Sequence, residues 1–86
     1  MANQLNTKLL TNLELAEFCN QMSMILHAGI SSLEGLHLLL EDAKNDAEKD
    51  LLSQMINEME STGYFYDAAV SAKAFPSYAL HMFKLG

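Results

Sequence analysis

Cys19, the histidines His27, His37 and His81, the pair Ser31–Ser32, and the carboxylates Glu41, Asp42, Asp46, Glu48 and Asp50 have the side chains best suited to chemistry. A nucleophilic cysteine needs a neighbouring cation to hold its thiolate. Cys19 instead shares an apolar helical stripe with Phe18 and Met22, so it reads as a small, inert hydrophobe. His37 and Glu41 stand four apart and could offer a metal two ligands, fewer than a zinc site takes. His27 suits a helix C-terminus, where a cation is favoured, and His81 has no partner identifiable in sequence. The carboxylate run lacks the alternate-position ligands and fixed glycine of a calcium loop. It reads as a solvated face whose later members sit at a helix start. Gly29 to Gly35 is no phosphate loop, because no Gly-Lys-Ser/Thr ending follows and no strand precedes. The expectation is a chain with no catalytic, cofactor or metal residues, and so not an enzyme.

The overall charge narrows the partners. Eleven acidic residues against five basic ones leave −6, and every basic residue is lysine. No basic face exists to neutralise phosphates, which excludes nucleic acid, and the same balance opposes docking on an anionic membrane surface. A single cysteine makes no internal disulfide and fits a reducing compartment. No signal-peptide pattern opens the chain, and no apolar run is long enough to span a bilayer. Half of the 86 residues are hydrophobic, enough for one small packed domain with a limited core. Such a chain is expected to bury further surface against a copy of itself or a partner.

The remaining pattern is helical throughout. Residues 1–9 are polar and aperiodic and read as a flexible lead or linker, with the folded domain over 10–86. Thr11 and Glu14 form a capping box, and Leu10 with Leu15 a hydrophobic staple. Leu15, Phe18, Cys19, Met22, Ile25 and Leu26 then follow helical spacing, while Leu13 and Met24 fall on the other side. Gly29 suits the left-handed residue that ends a helix. Ser31 with Glu34 forms a second capping box and opens a second helix, expected from about Ser32 to Lys44, within about three residues. A link that short makes the two packed neighbours. The second helix carries Leu33, Leu36, Leu38, Leu39 and Leu40 on nearly every side, which places it centrally. Gly35 inside it costs about 1 kcal/mol relative to alanine, and close approach of another helix would compensate. Asn45 and Glu48 start a third helix with Leu51, Leu52, Met55, Ile56 and Met59 inward, and Gly63 stops it. A fourth helix is expected over 65–72, with Phe65, Ala68, Ala69 and Val70. A fifth runs from about Pro76, in its first turn, to Lys84, with Ala79, Leu80 and Phe83 inward. The fold class is therefore all-α, a small antiparallel bundle of about five helices.

The order "LELAEFCNQMSMILHAGISSLEGLHLLLEDA", then an acidic helix ending "MESTGYFYDAA", then "FPSYALHMFKLG" resembles the type II secretion system F-protein family. The resemblance runs from about residue 10 to residue 86. It rests on Glu14-Leu15-Ala16 with Phe18, Ala28-Gly29-Ile30, Leu33-Glu34-Gly35, Gly63 followed by Ala68, and Phe75-Pro76. It implies a non-catalytic scaffold domain on the cytoplasmic side of an inner-membrane platform protein of type II secretion or type IV pilus machines. The implied partners are the assembly ATPase, other inner-membrane components and a second copy in a homodimer. Membrane contact would come only through segments outside these 86 residues. The family pattern continues past the equivalent of Gly86 into further helices, so the resemblance implies a bundle truncated before its closing helices. Those helices or a second chain are expected to cover Leu38. Leu13, Met24, Leu38 and Met82 are the candidate interface residues. The alternative from the residues alone is a freestanding small helical adaptor or dimerisation module.

Overall fold

The computed structural model describes residues 9–85. Five helices follow one another, α1 (Asn12–His27), α2 (Ser32–Glu41), α3 (Asp46–Thr62), α4 (Phe65–Ala72) and α5 (Ser77–Leu85), with no strand among the described residues. Apart from Leu9, which is exposed, the lead assigned to residues 1–9 lies outside the described residues.

Local side chains set most of the helix ends. The Thr11 hydroxyl accepts from the Glu14 N–H at 3.1 Å, and the Glu14 carboxylate accepts from the Thr11 N–H at 2.9 Å. These bonds satisfy donors that the first turn leaves orphaned. Leu10 and Leu15 both join the core, and the Leu10 N–H donates to the Ala74 carbonyl at 2.8 Å. The start of the first helix is thereby tied to the turn before the last one. At the other end of α1, Gly29 sits at φ +85°. The Ile30 N–H reaches the Ile25 carbonyl and the Gly29 N–H reaches that of Leu26. This paired closure needs a left-handed residue at Gly29. Gly63, at φ +84°, ends α3 in the same left-handed conformation.

Three boundaries differ from the sequence pattern. The Ser31 hydroxyl accepts from the Glu34 N–H at 3.2 Å, but Glu34 makes no return bond, so only half of that capping box forms. The second helix stops at Glu41, short of Lys44. Its last turn tightens through Asp42 to Leu39 and Ala43 to Leu40, and the Lys44 N–H donates to the Glu48 carboxylate at 2.8 Å. The Glu48 N–H in turn donates to the Asn45 side chain at 2.9 Å, so this backbone is already committed to starting α3. Pro76 lies just before α5, with its carbonyl accepting from the Ala79 and Leu80 N–H groups. Lacking an N–H, proline costs nothing at such a position.

The centre of the core also moves. The expected central helix α2 buries only Gly35 and Leu36, and Leu38 stays 41% exposed. Leu36 is fully covered, but the other residues with no exposed surface lie where α3 meets α4: Met55, Ala68 and Ala69. Alanine has almost no side chain to hold helices apart, so α4 packs closely on α3, and the Gln54 amide donates to the Ser71 carbonyl at 3.1 Å. Within α4, Val70 is exposed, while Ala72 is buried with Ala68 and Ala69. Leu26 is also half out in solvent, because α2 approaches α1 on the Met22 and Ile25 side.

All four phenylalanines of the chain close one cycle. Phe18 of α1 meets Phe65 of α4 at 6.3 Å and Phe75 of the α4–α5 turn at 5.3 Å. Phe83 of α5 meets Phe65 and Phe75 edge-on, each at 5.4 Å. These separations fall in the range where aromatic pairs add about 0.5–1.5 kcal/mol beyond area burial. Phe18→Ala removes two sides of the cycle and is expected to cost about 3–5 kcal/mol. Urea unfolding followed by circular dichroism measures it, and a loss under 1 kcal/mol would show that the cycle contributes little.

Gly35 explains how α1 and α2 fit. A Cβ placed there would stand 2.9 Å from the Ile25 Cγ2 methyl and 3.4 Å from Met22 Sδ. Gly35→Leu is expected to destabilise by at least about 1–3 kcal/mol through overpacking. Gly35→Ala should be less harmful in an Ile25→Ala background than in the natural one, by about 0.5 kcal/mol or more. A double-mutant cycle reads this directly, and strict additivity would mean the two residues do not meet.

Candidate functional site

The residues with chemical potential are dispersed. Cys19 is half-buried on α1, and burial pushes its thiol pKa up. A raised pKa keeps the sulfur protonated at neutral pH, the opposite of what a nucleophile needs. His27 Nδ1 lies 2.8 Å from the Ser23 carbonyl and donates to it, at the exposed end of α1. His37 and Glu41 are exposed on α2, and His81 is exposed on α5. Among the described residues, no three His, Cys, Asp or Glu side chains gather as a metal cage requires. No helix among them is long and apolar enough to cross a membrane. The acidic run divides in two: Glu48 caps backbone, while Glu41, Asp42, Asp46 and Asp50 are exposed residues.

What the fold does offer is contact surface. Leu13 is 70% exposed, and Met24 and Met82 are each 62% exposed. Leu38, the fourth candidate interface residue, is 41% exposed. Met82 lines a groove of about 270 Å³ between α1 and α5, together with Leu15, Ala16, Cys19, Tyr78 and Phe83. Leu13, Met24 and Leu38 line neither this groove nor the larger one described next.

The larger groove, about 860 Å³, runs between α1, the α2–α3 turn and α3. Its apolar lining comes from Leu10, Phe18, Leu39, Leu51 and Leu52. Five carboxylates line it as well: Glu14, Glu17, Asp42, Glu48 and Asp50. Sequence reasoning assigned the leucines to the core and the acids to solvent, without seeing that they meet. No pattern within one helix signals this meeting, since the leucines of the lining come from the lead into α1, from α2 and from α3. Tyr64, Tyr78 and Leu85 are further exposed apolar side chains.

The described residues thus form a small all-α bundle with exposed apolar side chains and two open grooves. A family model for type II secretion system (T2SS) protein F matches residues 18–86. The chain belongs to this family, whose proteins are membrane platform components of secretion and pilus systems. The match begins inside α1, at Phe18, and continues through the remaining four helices. No significant match occurs among curated proteins or among solved structures.

The state of Cys19 gives a direct check. Its alkylation by iodoacetamide should be slower at pH 7.5 than that of a free cysteine, and should accelerate only above the ordinary thiol range near about 8.5. Intact-mass spectrometry across a pH series follows it. Rapid modification at neutral pH would mean an activated thiol.

Proposed function

We propose that this chain is a non-catalytic scaffold domain of a membrane platform protein, acting in type II secretion or type IV pilus assembly from the cytoplasmic side of the inner membrane. The single observation that carries the reading is the family match over residues 18–86, four helices and most of a fifth. The surface supports it: the exposed apolar groups suit protein contact, and the described residues present no constellation of nucleophile, base and oxyanion donors. In this reading the domain docks the assembly ATPase and other inner-membrane components, and it pairs with a second copy. Leu13, Met24, Leu38 and Met82 are the residues proposed for those contacts. The chain itself catalyses no reaction.

An antibody raised against the domain and applied to fractionated cells of the source organism tests this. The expected result is a band several-fold larger than 9.6 kDa in the membrane pellet, which co-precipitates the assembly ATPase. A soluble band near 9.6 kDa would overturn it and leave a freestanding adaptor. Light scattering tests the pairing separately, since one chain mass at high concentration removes the homodimer.

A further inference from the structure

The groove between α1, the α2–α3 turn and α3 has a composition that selects its occupant. We infer that it docks a cationic amphipathic helix of another protein, apolar side inward and lysines or arginines along its flanks. The apolar lining includes Leu10, Leu39 and Leu51, which are only partly covered by the chain's own residues. Five carboxylates share the same walls, and none of the described lining residues is basic. Glu14 and Glu48 are engaged with backbone N–H groups, which leaves Glu17, Asp42 and Asp50 exposed for a visitor.

Each alternative occupant meets an obstacle on this surface. A second copy presenting the same face would set like charges against each other, at a cost that opposes pairing. An anionic lipid surface would be repelled for the same reason. A neutral or acidic helix would gain the apolar contact but desolvate the carboxylates without compensation. A cationic amphipathic helix satisfies both parts of the lining. Its apolar side chains lie in the groove at helical spacing, and its long basic side chains lay their stems along the rim with the charged ends at the acids. The inference uses the lining of the groove alone and does not depend on the platform role.

The test uses the 86-residue chain and a labelled helical peptide of about 18 residues, with leucines on one face and flanking lysines, beside a version with glutamate for every lysine. Fluorescence anisotropy gives affinity, and amide chemical shifts locate the contact. The lysine peptide should bind and shift Leu10, Leu39 and Leu51, while the glutamate peptide does not bind. Glu17→Lys with Asp50→Lys should weaken binding by about fivefold or more, since each reversal turns attraction into repulsion. Glu41→Lys with Glu60→Lys changes net charge equally but lies outside the groove, and should weaken binding far less. Circular dichroism confirms that each variant is folded. Equal loss from both pairs would overturn the inference, because only overall charge would then matter. Binding of both peptides, or of neither, would overturn it too. Groove shifts that appear on concentrating the chain alone would assign the groove to a second copy and also overturn it.

Discussion

The cycle of four phenylalanines is the constraint on which the arrangement of this small domain depends. The α3–α4 pair has its own close contact through alanines, and α2 is tied to α3 by a short turn. Nothing so local holds the first helix to the last two. Phe18 provides that link by meeting Phe65 and Phe75, and Phe83 closes the ring from the other side. The Leu10 to Ala74 hydrogen bond adds a second tie at the same end. With 86 residues and a correspondingly limited core, few other contacts cross between chain ends. Chain topology is thus settled by aromatic side chains that lie far apart in sequence, and both grooves inherit their shape from it.

Helix ends were largely legible because they depend on neighbours in the chain. Thr11 with Glu14, Gly29, Asn45 and Gly63 act through groups at most a few residues away, so their types and spacing carry the information. Burial was much less legible. Five leucines in α2 suggested a helix enclosed on all sides, yet an apolar side chain records only a tendency to be covered. Whether a neighbour arrives is decided elsewhere: Leu36 is fully covered while Leu38 of the same helix stays exposed, and the alanines of α4 pack on α3. Gly35 was readable as a place of close approach, although its partners, Ile25 and Met22, were not. The larger groove was invisible for a related reason: its lining comes from four helices and two of the turns between them. No periodicity within a single helix announces a surface that exists only between helices.

The family assignment and the fold support each other without either supplying a mechanism. Bundles of this type host many functions, so function has to be argued from surfaces. The surfaces here differ in character. The α1–α5 groove is almost purely apolar, whereas the α1–α3 groove combines leucines with carboxylates. A single domain thereby carries two grooves of dissimilar lining.

Both faces share a wall. Leu15, Ala16 and Cys19 of α1 line one groove, and Glu14, Glu17 and Phe18 of the same helix line the other. The two sets interleave along little more than one turn and a half. A group seated in either groove would rest against the same short stretch of α1, so the thickness of one helix is all that separates the two.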